Sequence, residues 1–153
     1  MNKELTYLSA VVEAPRRPVG IVIGGVKVAS KVKLLRFLAE QVDKIFIGGA
    51  MVFTFYKAAG FEVGDCDVEE EALQNACEIL DIGLKRGNLY LALDARTVPS
   101  NISFADAKQD ISTVDCIQIP PGRKAYDIGR KTITCFLSEL ESCNTIFFNG
   151  KII

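Results

Sequence analysis

The stretch Gly24-Gly25-Val26-Lys27-Val28-Ala29-Ser30-Lys31 follows an unbroken apolar run, Val19 to Ile23, and leads into a helical pattern from Ser30. Val32, Leu35, Leu38 and Ala39 give that helix its apolar face. The unbroken run reads as a strand buried on both faces, as in a parallel sheet. Strand, glycine turn and helix start together suit a phosphate. Glycines let the backbone approach an anion, and N–H groups at a helix N-terminus point toward it. Lys27 and Lys31 put two cations at the same turn. The pattern matches neither G-x-x-x-x-G-K-[ST] nor G-x-G-x-x-G. By local pattern it fits a phosphate loop and a packed βα turn with solvated lysines equally well.

Working outward, residues 3–14 carry helical spacing at Leu5, Leu8, Val11 and Val12, closed by Pro15 and Pro18 around Arg16 and Arg17. Val42 to Ile47 is a second strand ending in Gly48-Gly49. Met51 to Ala59 reads as a helix with Gly60 after its end. Glu69-Glu70-Glu71 open a long helix with Leu73, Cys77, Leu80 and Leu84 on its inner face. Lys85-Arg86-Gly87 close it, which agrees with the helix dipole. Asn88 to Leu93 is a third strand ending at Asp94. Residues 95–113 read as loop, Val114 to Ile119 as a strand, and Pro120-Pro121-Gly122 as a turn. Lys131 to Glu141 is helical with Ile133, Phe136, Leu137 and Leu140 inward, and Thr145 to Phe148 is the last strand.

Strands alternating with helices indicate an α/β domain with a mainly parallel sheet. Such sheets bind ligands at the carboxyl ends of their strands. Gly24-Gly25, Gly48-Gly49, Asp94 and Asn149-Gly150 all fall at such ends.

A chain of 153 residues, 49% hydrophobic, is one domain or a large fragment of a bigger protein. A net charge of −1, with both signs mixed along the chain, argues against nucleic acid or an anionic membrane as partner. No apolar run reaches the length of a membrane span. The polar start, Met1 to Leu5, has no signal or transit pattern, so a cytoplasmic location is the expectation. Five cysteines without a C-x-x-C pair point to reduced, mostly buried thiols. The absence of histidine excludes His-based triads and leaves lysine, carboxylate, backbone dipoles or a bound metal.

Each candidate has a functional and a structural reading. Gly48-Gly49-Ala50-Met51 permits close approach to a flat base, or close strand–helix packing. Phe53, Phe55 and Tyr56 suit a core better than a stacking platform. Asp94 could hold a ligand or metal, or cap a loop. Glu69 to Glu71 could be a carboxylate cluster, but a solvated helix start explains them. Asn149-Gly150 could present an amide to phosphate, or make a turn.

Taken together these segments resemble phosphoglycerate kinase, in its C-terminal nucleotide-binding domain. Lys3-Glu4-Leu5-x-Tyr7-Leu8, Pro15-x-Arg17-Pro18, Gly24-Gly25-x-Lys27-Val28-x-Ser30-Lys31 and Gly48-Gly49-Ala50-Met51-x-Phe53-Thr54-Phe55 fall in family order and spacing. So do Val68-Glu69-Glu70, Asp94, Ile119-Pro120-x-Gly122, Asp127-Ile128-Gly129 and Asn149-Gly150. The resemblance runs almost the whole length. It implies a Rossmann-like, three-layer α/β domain, lacking the last strands and helices of the family domain and the whole N-terminal substrate domain.

The family transfers a phosphoryl group reversibly between 1,3-bisphosphoglycerate and ADP, giving 3-phosphoglycerate and ATP, with Mg²⁺, in glycolysis, gluconeogenesis or carbon fixation. The resemblance puts Lys27 and Lys31 on the nucleotide phosphates, Gly25 and Val26 beside them, and Gly48 and Gly49 on one wall of the adenine pocket. It puts Ala125 at the position of another adenine-pocket glycine and Asn149 on the phosphate chain. It assigns no catalytic residue and no metal ligand within these 153 residues. Phosphoryl transfer needs positioning and charge neutralisation more than a base, which a histidine-free chain can supply.

The departures are specific. Val26 stands where the family usually has Ala or Ser. Arg123-Lys124-Ala125 replaces Trp-Met-Gly, Tyr126 replaces Leu, and Arg130 replaces Pro. After Asn149-Gly150 the family continues Pro-Met-Gly-Val-Phe-Glu, whereas this chain reads Lys151-Ile152-Ile153. The family's ribose-binding glutamate and its metal-handling Gly-Gly-Gly-Asp loop lie beyond residue 153. The resemblance therefore implies a chain that binds adenine nucleotide as a monomer and meets 3-phosphoglycerate only when an N-terminal domain is supplied. A plastid location is also found in the family. The alternatives are a non-catalytic nucleotide-binding or regulatory module, and a nonfunctional truncated product.

Overall fold

The computed structural model describes residues 15–103, 105–107 and 110–150. The helix read at residues 3–14 and the segment Lys151 to Ile153 lie outside the described residues. Val19–Ile23 (β1), Lys44–Ile47 (β2), Leu89–Leu91 (β3) and Thr145–Asn149 (β7) form a four-stranded parallel sheet in the order β3-β2-β1-β7. Asp94–Pro99 (β4), Ser112–Asp115 (β5) and Arg123–Ile128 (β6) form a second, antiparallel sheet in the order β5-β4-β6.

Period-two alternation assigns the faces of the parallel sheet. On one face Gly20 is in register with Lys44 and Ile146, and Phe46 with Tyr90. The helix Arg130–Leu140 (α4) covers this face. A Cβ at Gly20 would lie 3.0 Å from Leu140 Cδ2, and Phe136 meets Phe46 edge-on with ring centroids 5.0 Å apart. Lys44 donates to the Glu139 carboxylate at 2.5 Å, joining β2 to the same helix. The opposite face carries Ile21, Ile23, Ile45 and Ile47, all fully buried. The helices Val32–Gln41 (α1), Val52–Ala58 (α2) and Leu73–Arg86 (α3) pack together, and Gly83 of α3 seats on Leu89 of β3. Helices on both faces of a parallel sheet give the expected α/β architecture. Truncating fully buried Phe46 would cost about 3 to 5 kcal/mol.

Several element boundaries are as read. α1 starts after a 3-10 turn at Ala29–Lys31 and buries Leu34, Leu35, Leu38 and Ala39, with Val32 only half-buried. α2 ends with Gly60 after its cap, where the Gly60 and Phe61 N–H groups bond back to Lys57 and Tyr56. Phe53, Phe55 and Tyr56 are core residues.

Other expectations are corrected. Residues 95–113 are not loop throughout: they hold most of β4 and the start of β5, and β6 was not anticipated at all. Their polar sequences, such as Asp94-Ala95-Arg96-Thr97, carry weak strand propensity and are held by tertiary pairing. The third strand stops at Leu91 because the Leu93 and Asp94 N–H groups turn to Thr132 Oγ1. Asp94 therefore begins a strand of the second sheet. The run to Ile119 leaves the strand at Asp115 for a 3-10 turn at Cys116–Gln118.

The inner face of α3 is Ala76, Ile79 and Gly83, rotated from the expected leucine stripe. Small residues let this helix approach Leu89 closely. Leu84 is left 78% exposed and Cys77 is exposed. On α4, Phe136 and Leu140 face inward as expected, but Thr132 takes the third place and Ile133 and Leu137 are exposed. Only Cys66 and Cys116 of the five thiols are buried.

Candidate functional site

The strand order decides where a site can form. The chain moves from β1 outward to β2 and β3, then returns to place β7 on the other side of β1. The point where order reverses, between β1 and β7, is the position at which an open α/β sheet leaves a crevice. Three glycine turns meet there. The Gly24 N–H donates to Asn149 O at 3.0 Å, the Gly48 N–H to Ile23 O at 3.0 Å, and the Met51 N–H to Gly25 O at 3.0 Å.

Lys31 reaches across this crevice, and its ammonium donates to Asn149 Oδ1. Gly150 makes the approach possible. Its φ is +89°, and a Cβ there would lie 2.2 Å from Gly24 O and 3.3 Å from Lys31 Nζ. Gly25, at φ +138°, borders Lys31, whose Cε would be in van der Waals contact with a Cβ at 3.6 Å. Lys27 is exposed, and its carbonyl accepts the Ser30 hydroxyl at 3.2 Å.

Two of the N–H groups at the helix start are not free for a ligand, contrary to the sequence expectation. Glu69 Oε2 accepts the Val28 N–H at 2.5 Å and the Ala29 N–H at 3.0 Å. An internal carboxylate occupies the place an anion would take. The same contacts correct the reading of Glu69 as part of a merely solvated run. Its own N–H donates to Thr54 Oγ1 at 3.2 Å, so α2 fixes its position. Beside this capped turn, the edge presents the Lys31 ammonium and the Asn149 amide.

A cavity of about 370 Å³ opens beside the Gly25 turn. Gly25, Val26 and Ala50 line it together with Asp67, Lys124, Ala125 and Tyr126. Val26 is 62% exposed at its mouth. Gly49 lies instead on an adjoining apolar crevice of about 10 Å³, shared with Ala125 and too small for a base. Gly48 is buried in the turn and lines neither space. Asp67 and Lys124 form an ion pair at 2.7 Å, and this bond holds the Lys124 ammonium above its ordinary pKa. Asp67 gave no signal in the sequence; Lys124 and Tyr126 stood out only as departures from the family pattern.

Asp94 is not at this edge. It is 2% exposed and accepts the N–H groups of Lys131 at 3.1 Å and Thr132 at 2.8 Å, and the Thr132 hydroxyl at 2.7 Å. It caps α4. Burial opposes its ionisation, but these hydrogen bonds and the Lys131 charge outweigh burial and hold it below the usual carboxylate range. Among the described residues, no group of three or more Asp, Glu, Cys or His could hold a metal ion.

The family model for phosphoglycerate kinase matches residues 1–152. The chain belongs to the phosphoglycerate kinase family. Among its relatives, the phosphoglycerate kinase of Synechococcus sp. (strain RCC307) is 40% identical over 152 residues, which are 99% of this chain and 37% of that protein. The enzyme of Syntrophobacter fumaroxidans is 39% identical over 153 residues, 38% of its length. The chain thus spans little more than a third of the curated relatives it matches. The structure of phosphoglycerate kinase from Coxiella burnetii superposes with a TM-score of 0.85 at 30% identity, over 98% of this chain and 38% of that one. The Pyrococcus horikoshii enzyme shares the fold, with a TM-score of 0.76 at 24% identity, over 99% of this chain. No described helix is long and apolar enough to cross a membrane.

Proposed function

We propose that the β1/β7 crevice and its adjoining cavity form the nucleotide site of a phosphoglycerate kinase nucleotide-binding domain. The observation that carries this reading is continuity. Gly25 lines the cavity and at the same time borders Lys31, whose ammonium meets Asn149 at the switch point. A base and ribose would occupy the cavity, and the phosphates would displace Asn149 from Lys31. Lys27, exposed at the same turn, would add a second cation. Gly48 and Gly49 would act through the shape of the neighbouring turn, and Ala125 through the cavity lining.

Family membership suggests ADP or ATP as the ligand and phosphoryl transfer to or from 3-phosphoglycerate as the reaction of the longer relatives. The chain's own contribution is charge neutralisation and positioning. Mg²⁺ would arrive on the nucleotide phosphates and keep waters as remaining ligands. These 153 residues, assayed by themselves, are expected to bind nucleotide without measurable turnover, because closure around both substrates needs a second body.

Calorimetry with MgADP tests the site. Wild type should release or absorb heat with a defined stoichiometry, and Lys31→Ala should weaken binding at least tenfold, roughly the worth of one charge-assisted hydrogen bond. Equal affinity in both proteins would remove Lys31 from the site.

A further inference from the structure

The cavity wall carries charge where a base would rest. Asp67 and Lys124 are held at a fixed spacing by the backbone around them. The Asp65 N–H donates to Arg123 O at 2.9 Å, and the Ala125 N–H donates to Cys66 Sγ at 3.3 Å. The loop that bears Asp67 is thereby tied to β6, which bears Lys124. The two charges are 2.7 Å apart, with the Lys124 side chain 29% exposed and that of Asp67 62% exposed. Both therefore have solvent-facing capacity left for a ligand.

A carboxylate only accepts hydrogen bonds, and an ammonium only donates them. The Watson–Crick edge of guanine offers two adjacent donors, N1–H and the N2 amine, next to the acceptor O6. That is the complement of a carboxylate beside an ammonium. Adenine offers one donor group and one acceptor on the same edge, and leaves half of the carboxylate without a base partner. Sites built to satisfy a donor discriminate strongly against ligands that lack it.

We infer that Asp67 and Lys124 set the base specificity of this cavity and favour guanine over adenine nucleotides. The inference rests on the nucleotide reading above and names the ligand class that reading leaves to family expectation. Asp67 would take N1–H and the N2 amine, and Lys124 would take O6. Tyr126, on the same wall, would add an aromatic surface beside the base.

Calorimetry with GDP and with ADP, on wild type and Asp67→Asn, tests it. The substitution keeps the size of the side chain and replaces one acceptor oxygen with a donor that faces guanine's own donors. Asp67 is exposed, so the variant should melt at the wild-type temperature. Wild type should bind GDP about tenfold more tightly than ADP, a difference of about 1.4 kcal/mol. In Asp67→Asn the ratio should fall to about one or below. ADP binding as tightly as GDP to wild type would overturn the inference and leave the nucleotide reading standing. A GDP preference that survives in Asp67→Asn would overturn the role of the pair. No heat with either nucleotide would overturn both readings.

Discussion

Glu69 and Val28 lie 41 residues apart and meet in one hydrogen bond, with Glu69 Oε2 accepting the Val28 N–H at 2.5 Å. The same oxygen accepts the Ala29 N–H. The carboxylate therefore fixes the backbone turn that carries Lys27 and Lys31. Glu69→Ala leaves two backbone donors at this turn without that partner, and should lower stability by about 1 to 2 kcal/mol. Urea unfolding monitored by circular dichroism should show a lower midpoint with an unchanged slope.

Asp94 should make stability acid-sensitive. Its folded pKa lies below the ordinary carboxylate value, so it binds a proton more weakly in the folded than in the unfolded chain. Its contribution is present above the unfolded pKa, near 4, and is lost as pH falls through the lower folded value. Asp65 and Glu139 are shifted the same way, Asp65 by the Ser100 hydroxyl and the Gly122 N–H, Glu139 by Lys44 and Tyr90. The informative quantity is therefore the difference between wild type and Asp94→Asn. The variant should be less stable at neutral pH by about 2 kcal/mol, and the gap should narrow toward pH 3. A gap that is constant across pH would contradict the account of Asp94.

Gly83→Ala sets helix propensity against packing. Alanine in a helix interior is favoured over glycine by about 1 kcal/mol. A Cβ at this position would lie 2.4 Å from Leu89 Cβ, an atom next to the β3 backbone that cannot swing away. Overpacking costs about 1 to 3 kcal/mol, and so close a contact belongs at the upper end. The net change should be destabilisation by about 1 to 2 kcal/mol on those figures. A thermal melt with a raised midpoint would show that α3 can shift away from β3.

The thiols should separate by environment. Burial pushes Cys66 up to about 11 and Cys116 up to about 12, whereas Cys77 is exposed on α3. The thiolate is the reacting species. Timed alkylation of the native protein at pH 7.5, about the middle of the physiological range, followed by peptide mass spectrometry, should label Cys77 first. Cys66 and Cys116 should react only after denaturant is added. Early labelling of Cys116 would show that the second sheet opens readily.

The parallel sheet was legible because compact apolar runs mark its strands. Val19 to Ile23 and the Ile45-Phe46-Ile47 run behind Asp43 and Lys44 have no other low-energy place than a buried layer. The turns at Gly24, Gly48 and Asn149 were legible for the same reason, since they mark where those runs stop. Of the antiparallel sheet only the end of β5 was, within the strand read at Val114 to Ile119. Arg96, Thr97 and Lys124 pair through long-range register and a side-chain network, in which Arg123 bonds Thr97 and Asp110, and local pattern carries no trace of it. The face of α3 was misread because Ala76 and Gly83 score as weakly apolar, yet both are buried and the missing side chain of Gly83 lets α3 close on Leu89. Within the site, Lys31 and Asn149 could be named from sequence, but Asp67 could not, because a lone acid in a loop has no distinguishing spacing. The capture of the Val28 and Ala29 N–H groups by Glu69 depends on contact between segments about 40 residues apart, which periodicity cannot report.

The central claim is that one continuous site runs from the cavity at Gly25 and Ala125 to the Lys31–Asn149 contact. An amide NMR titration of the uniformly ¹⁵N-labelled protein with Mg²⁺ and a purine nucleoside diphosphate tests this most directly. Shifts should cluster at Gly25, Val26, Ala125, Tyr126, Lys31 and Asn149 and saturate together, with the α4 cap at Thr132 unmoved. Shifts confined to other surfaces, or none at saturating nucleotide, would contradict the account.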